Sequence, residues 1–167
     1  MSNKKFPRIY SLSTVGIRNH YNSDYRFHPF RTDFAGDSGV GKSIIADVLQ
    51  LILVGEREFK SATDSSSERE ARKLIIERYG YVFLNIAIDT DKFIVIGMYI
   101  STTSIDPFII QANIGLDVFE PLSSPLISKD FMLGDEIIDI TNLPERMKEN
   151  KQAYAAKLSL NLSLIHI

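Results

Sequence analysis

Eight consecutive residues have the types and spacing of a phosphate-binding loop. They read Gly36-Asp37-Ser38-Gly39-Val40-Gly41-Lys42-Ser43 and fit the P-loop pattern G-x-x-x-x-G-K-[ST]. The glycines allow the backbone to wrap closely around a phosphate, and the N–H groups from about Ser38 to Ser43 then form an anion-binding nest. The pattern predicts nucleotide contacts from Gly36, Ser38, Gly39, Val40, Gly41, Lys42 and Ser43. The Lys42 ammonium would reach the β- and γ-phosphates, and the Ser43 hydroxyl would ligate Mg²⁺.

A phosphate loop needs a helix behind it, because the helix directs its positive dipole end at the phosphates. Residues 43–54 form a mostly apolar stretch that predicts a buried helix, and Gly55 stands where a C-cap glycine belongs. On the other side of the motif, Phe34 and Ala35 are the plain strand signals. The alternative is a glycine turn before a core helix that binds no ligand.

Length and composition describe a single ordinary globular domain. The chain has 167 residues, of which 44% are hydrophobic and 24% are charged. It has no cysteine, which excludes disulfides and thiol catalysis and suits a reducing compartment. No apolar run reaches the roughly 18 residues of a membrane span, and no apolar signal region follows Met1. We therefore expect a cytoplasmic protein without a membrane partner.

Charge is distributed unevenly along the chain. The net charge is −2, but residues 1–31 contain six basic residues and one acidic residue. A basic segment of this kind suits nucleotide or nucleic-acid phosphates, although a solvated surface is the more common explanation.

Hydrophobic patterns predict the remaining elements. Residues 6–17 indicate a strand, and residues 18–29 a turn followed by a short second strand. Apolar runs at 81–88 and 92–100 are separated by three residues, which requires an antiparallel hairpin, and a third strand is expected at 107–114. Helices are expected at about 68–78, ending at Gly80, and at about 144–158. Residues 121–144 are irregular.

These residues together resemble the N-terminal head segment of SMC-like ATPases. These ABC-type enzymes act in chromosome organisation, DNA repair and anti-plasmid defence, and include SbcC-like and MukB-like proteins. The resemblance is carried by residues 36–55, with the pair Gly55-Glu56, and by Ile17-Arg18-Asn19-His20, which looks like the family's basic turn. Many members have Pro-Asn where this chain has Asp37-Ser38, and a serine where it has Val40.

The resemblance implies an α/β fold: a P-loop NTPase, here a partial ABC-type head with an antiparallel β-subdomain beside the P-loop. It implies ATP and Mg²⁺ as ligands, a phosphate contact from Arg18, and a second metal-associated residue, Gln111, near the family's Q-loop position. It also implies a head dimer that acts on DNA, with the signature motif of one head closing on the P-loop of the other.

The same resemblance makes the chain half of a head. Residues 1–161 would be the N-terminal half, and the coiled coil, signature motif and Walker B carboxylates would belong to a C-terminal half. Residues 162–167, Leu-Ser-Leu-Ile-His-Ile, are also what a sequencing adapter would encode, so we expect a non-native tail there. Without its own hydrolytic carboxylate, the chain is expected to bind ATP without turning it over.

Other candidate residues have structural alternatives. Asp135-Glu136 superficially resembles a Walker B motif, but an exposed acidic turn is favoured, and Asp89 is interpreted as a turn aspartate. Tyr21, Tyr25 and Phe27 are candidates for stacking on adenine, with packing favoured for each. His20 and His28 have no partner at metal-ligand spacing.

Two other classes of function stay open. The first is a different P-loop enzyme, such as a GTPase or small-molecule kinase. Asn150-Lys151-Gln152-Ala153 lacks the aspartate of the guanine-reading motif, and the early β meander also argues against this class. The second is a non-catalytic nucleotide-sensing or interaction domain.

Overall fold

The computed structural model describes residues 6–34, 42–56, 59, 71–110, 112–115 and 118–140. Within these ranges the α-helix is α1 (Lys42–Val54). The strands are β1 (Arg8–Ile17), β2 (His20–Arg26), β3 (Tyr79–Asp89), β4 (Lys92–Ser101), β5 (Ile105–Ile110), β6 (Ala112–Gly115), β7 (Val118–Glu120), β8 (Met132–Leu133) and β9 (Glu136–Ile137). Short 3₁₀ turns lie at Ala71–Leu74 and Ser128–Phe131.

The main sheet has five strands in the order β2-β1-β3-β4-β5, and every pairing in it is antiparallel. The β1–β2, β3–β4 and β4–β5 pairs are consecutive along the chain, so short turns set their antiparallel direction. The pairing of β1 with β3 is long-range and places Leu12 opposite Leu84. The described chain between β2 and β3 includes α1, so this helix must be accommodated on one face of the sheet.

We call that side of the sheet the helix face. Alternate residues of the strands supply its aliphatic surface, including Leu12, Val82, Leu84, Ile96 and Ile109, and all of them are buried. α1 packs onto this surface with Ile44, Ile45, Val48, Leu51 and Ile52. Burying each aliphatic side chain contributes about 1.5–3 kcal/mol, which outweighs the modest helix propensity of isoleucine and valine. The helix therefore forms here because it packs on the sheet.

We call the opposite side the aromatic face. Tyr81, Phe83, Tyr99 and Phe108 project from it, and Phe131 fills their centre with ring-centroid distances of 4.5 Å to Phe83 and 4.8 Å to Tyr81. Residues 121–140, which we call the covering segment, lie over this face. The segment contains a 3₁₀ turn and two two-residue strands, β8 and β9, so few backbone ladders hold it in place.

One backbone bridge, between Leu122 and Phe93, and several side-chain hydrogen bonds attach the covering segment to the sheet. Asn85 donates from Nδ2 to the carbonyl of Leu126 at 2.8 Å and accepts from the Leu126 amide at 2.9 Å. The Asp24 carboxylate accepts from the Ser128 amide at 2.9 Å and from its hydroxyl at 2.8 Å. The Tyr81 hydroxyl donates to the Ile138 carbonyl at 2.5 Å. These bonds satisfy buried polar groups that would otherwise destabilise the fold.

The predicted α/β fold, a P-loop NTPase with a partial ABC-type head, is wrong. The described chain is mostly β, with one α-helix against a five-stranded antiparallel sheet and no parallel arrangement of strands. β2 ends at Arg26, and residues 27–34 form no strand leading into the glycine-rich motif. The expectation rested on a local motif, and a local motif does not specify how strands pair across the chain.

Several local predictions are confirmed. The strand at 6–17 and the short strand after it appear as β1 and β2, and the 81–88 and 92–100 hairpin appears as β3 and β4. The helix at 43–54 is α1, and Gly55 caps it at φ 84°, a left-handed conformation in which its amide donates to the Leu51 carbonyl at 2.9 Å.

Other local predictions are wrong or lie outside the described residues. The helix expected at 68–78 is absent over 71–78, where a 3₁₀ turn precedes an extended segment. There the Arg18 amide donates to the Leu74 carbonyl and the Ile76 amide to the Gly16 carbonyl, so pairing with β1 replaces helical bonds. The strand expected at 107–114 is confirmed in part: residues 107–110 belong to β5 and residues 112–114 to β6, which lie in different sheets. The helix expected at 144–158 lies outside the described residues.

No helix in the described ranges is long and apolar enough to cross a membrane.

Candidate phosphate-binding site

The described part of the phosphate-binding motif is the start of α1. The helix begins at Lys42, and both Lys42 and Ser43 are exposed, whereas Ile44 and Ile45 immediately after them are buried. Gly36, Ser38, Gly39, Val40 and Gly41 lie outside the described residues. The burial boundary thus falls within the first turn: Lys42 and Ser43 face solvent, while the next two residues fix the helix to the sheet.

The electrostatics of this helix end favour an anion. The first N–H groups of a helix have no partner within the helix and carry the positive end of its dipole. The first turn of α1 has no acidic residue that would oppose a phosphate. Lys42 adds a full positive charge, and the Ser43 hydroxyl supplies an oxygen of the kind that Mg²⁺ prefers. Both side chains therefore fit a nucleotide with its metal ion.

The chain that leads into the motif is held by aromatic packing. The ring of Phe34 meets Tyr25 edge-to-face at 5.6 Å and Phe27 at 6.0 Å. Tyr25 in turn shares a hydrogen bond of 2.5 Å between its hydroxyl and Nδ1 of His20. Tyr25 and Phe27 thus have the favoured packing role and position Phe34, two residues before the motif. His20 is part of this buried arrangement.

Arg18 occupies the β1–β2 turn and has a structural partner there. Its guanidinium donates to the Lys73 carbonyl at 2.6 Å, which holds the neighbouring 3₁₀ turn. Among the described residues, no hydrogen bond or ion pair joins Arg18 to Lys42 or Ser43. Its phosphate contact stays a prediction.

The carboxylate candidates lie in turns. Asp135 and Glu136 are exposed around the tight connection between β8 and β9, so the favoured acidic turn is confirmed. Asp89 is exposed at the end of β3 and accepts from the Thr90 amide at 2.8 Å, as a turn aspartate does. Gln111 lies outside the described residues. The described ranges contain no group of three or more His, Asp or Glu side chains placed to hold a metal ion.

An acidic cleft lies beyond the β1–β2 turn and differs from the helix start in charge. It has a volume of about 450 Å³, and its lining residues are Tyr21, Glu77, Arg78, Tyr79, Asp135, Glu136 and Ile137. Burial, followed by the charges of Glu77 and Asp135, raises the pKa of the Tyr21 phenol. Three carboxylates against one guanidinium disfavour phosphates, so this cleft is not a second candidate for the nucleotide.

Sequence reasoning missed the residues that hold the covering segment, above all Asp24 and Asn85. It also missed the pairing of Arg8 and Arg26 around Tyr10, although the excess of basic residues before position 32 was visible. Only the register of the strands brings these side chains together.

No protein-family model matches the chain, and no curated protein matches it.

Proposed function

We propose that this chain binds the phosphates of a nucleotide, ATP together with Mg²⁺, through residues 36–43 at the start of α1. The observation that supports this most directly is the position of Lys42 and Ser43: both are exposed at the first turn of a helix whose next residues are buried. A phosphate-binding motif and a free helix start therefore coincide at the same residues.

The anchoring of α1 explains why such a site would be preorganised. The helix buries Ile44 and Ile45 in its first turns and Leu51 and Ile52 near its end, so both ends are fixed to the sheet. Phe34 holds the chain on the other side of the motif. A loop fixed at both ends loses less conformational entropy when it wraps a ligand, which favours binding. This support does not require a parallel sheet.

Mg²⁺ would be held by the Ser43 hydroxyl and by phosphate oxygens, where it neutralises part of the charge on the phosphates. Lys42 would contact the β- and γ-phosphates as a point charge. From the resemblance to SMC-like ATPases, the proposal extends to two partners: a second nucleotide-binding unit and DNA. The chain by itself is expected to bind ATP without hydrolysing it.

The test is a titration of the 167-residue chain with Mg²⁺ and ATP, compared with Lys42→Ala. The variant is expected to bind ATP at least about tenfold more weakly than the wild type, because it loses a charge-assisted contact. Lys92→Ala is the matched control, since Lys92 is an exposed lysine in the β3–β4 turn region with no role in the motif. Equal affinities of the two variants would refute the proposed site. If GTP competes for the site as strongly as unlabelled ATP does, the alternative class of P-loop enzyme would be favoured.

A further inference from the structure

Two arginines converge on one tyrosine ring at the edge of the main sheet. Arg8 is the first residue of β1, and its Cζ atom lies 5.4 Å from the centroid of the Tyr10 ring. Arg26 is the last residue of β2, and its Cζ atom lies 4.7 Å from the same centroid. The two guanidinium carbons are therefore within about 10 Å of one another.

An irregularity in β1 creates this arrangement. The pairing of β1 with β3 shifts register between Ile9 and Ser11, so Tyr10 is the extra residue of a bulge. The Tyr10 ring also meets Phe93 edge-to-face at 5.0 Å, which fixes its orientation. A tyrosine ring attracts cations to its face, so the fixed ring positions both guanidinium groups.

Arg8 has hydrogen-bond donors without acceptors. Its Nε and Nη1 atoms are buried, and neither has a hydrogen-bond partner. Within the described residues, Arg26 makes no hydrogen bond or ion pair either, but its side chain is exposed to solvent and contacts the Tyr10 ring. A guanidinium group has N–H donors and no acceptor, so only an acceptor from elsewhere can satisfy these donors. The buried Arg8 donors are costly without acceptors, and an anion would compensate them, while the exposed Arg26 would add a second positive charge for the same anion.

The nearby carboxylates do not supply that partner. Asp24, on the same strand as Arg26, accepts hydrogen bonds from Ser13 and Ser128. Asp89 follows the β3 residue opposite Arg8 and accepts from the Thr90 amide. No carboxylate in the described ranges lies within 4.0 Å of either guanidinium. In the sequence, Lys4 and Lys5 add two further positive charges just before Arg8.

We propose that Arg8 and Arg26 form a site for phosphate groups. Each guanidinium presents a planar fork of donors that matches the oxygens of a phosphate. A phosphomonoester carries a charge of about −1.5 to −2 near pH 7, which balances two arginines better than one carboxylate does. The phosphate belongs either to a small phosphorylated molecule or to a nucleic-acid strand.

This site is separate from the start of α1. Arg26 lies opposite Ser11, whose hydroxyl accepts from Asn85, and Asn85 holds the covering segment on the aromatic face. Arg8 lies opposite Ala87, two residues beyond Asn85, and strand side chains alternate with a period of two. Both arginines thus belong to the aromatic face, whereas α1 lies on the helix face. The proposal does not depend on the proposed nucleotide site.

The experiment measures binding of inorganic phosphate and of a single-stranded DNA oligonucleotide to the full chain. The test variant is Arg8→Gln with Arg26→Gln. The control is Arg31→Gln together with Lys92→Gln, which removes the same charge at exposed positions. For at least one probe, the test variant is expected to bind about tenfold or more weakly than the control. If DNA is the ligand, its binding should also depend less on salt in the test variant. The slope of log K against log salt should become less steep, by the amount that corresponds to about two lost phosphate contacts.

The two probes separate the sources of the phosphate. Arginine-dependent binding of DNA with a reduced salt slope identifies a nucleic-acid strand, and arginine-dependent binding of phosphate alone identifies a small phosphorylated molecule. Because the glutamine variant removes uncompensated charge, it is expected to unfold at the same temperature as the wild type or a higher one. Addition of phosphate should raise the wild-type unfolding temperature more than that of the variant. Test and control variants that bind both probes equally would overturn the proposal.

Discussion

The helix face and the aromatic face of the main sheet are both buried, but they are held together by different forces. On the helix face, aliphatic side chains of α1 such as Val48 and Leu51 pack on aliphatic strand residues. On the aromatic face, tyrosine and phenylalanine rings surround Phe131. Hydrogen bonds between Asn85 and Leu126, and from Ser128 to the Asp24 carboxylate, fix the covering segment. Hydrophobic burial is not directional, whereas hydrogen bonds are, so only the second face specifies the position of an irregular segment.

Because of this difference, we expect substitutions on only one of the two faces to affect the proposed nucleotide site. α1 carries Lys42 and Ser43, so loosening the helix face should displace the phosphate-binding residues. The aromatic face stabilises the same sheet but contacts neither residue among the described ones. Damage to the aromatic face should therefore reduce stability without reducing nucleotide affinity at temperatures where the chain stays folded.

The largest effect is expected from the matched pair Leu51→Ala and Phe131→Ala. Both side chains are fully buried, at 0% exposure. Each substitution is expected to lower the free energy of unfolding by about 3–5 kcal/mol, since it removes buried surface and leaves a cavity. Urea denaturation measures this loss, and titration with Mg²⁺ and ATP below the transition measures affinity. Only Leu51→Ala should weaken binding; an equal loss in Phe131→Ala would show that the two faces are not separable.

The aromatic face, unlike the helix face, contains buried ionisable groups. We therefore expect a smaller effect on the free energy of unfolding, confined to alkaline pH. Burial raises the pKa of both the Tyr81 and Tyr99 phenols above the ordinary value of 10.0, and neighbouring phenol and carboxylate groups, including Asp139, add to this. The folded state thus keeps protons that the unfolded state loses above pH 10. Stability should be unaffected below pH 10 and fall above it, by about 1.4 kcal/mol per pH unit for each such tyrosine.

Tyr81→Phe tests this dependence. At pH 7 it removes the hydrogen bond to the Ile138 carbonyl and should cost about 1 kcal/mol. Between pH 10 and 11 its stability should fall less steeply than that of the wild type, because one titrating phenol is gone. Urea denaturation of both proteins at pH 8, 10 and 11 gives the slopes. Parallel slopes would show that Tyr81 does not contribute to alkaline unfolding.

The sequence could predict those features that local patterns determine. α1 follows from aliphatic residues at helical spacing with Gly55 after them, and the β3–β4 hairpin follows from two apolar runs with a three-residue link. The candidate site has the same local origin, because its motif is contiguous. Its phosphate-binding role stays a prediction; the structure shows that Lys42 and Ser43 lie at an exposed helix start.

Features that depend on long-range pairing could not be predicted. The antiparallel pairing of β1 with β3 brings together residues about seventy positions apart, such as Leu12 and Leu84. It decides the fold, and it also pairs Ile17 with Ile75 where a helix was expected. The convergence of Arg8 and Arg26 on Tyr10 depends on a bulge in that pairing, so charge counting alone showed only a basic segment.

Amide hydrogen exchange of the chain with and without Mg²⁺ and ATP tests the central claim most directly, because it locates the ligand. Nucleotide binding at the start of α1 should protect the amides of residues 38–45. It should leave exchange in Phe131 and the rest of the covering segment unchanged. The result that would contradict the account is protection in the acidic cleft or the covering segment, with none at residues 38–45, under conditions in which ATP is bound.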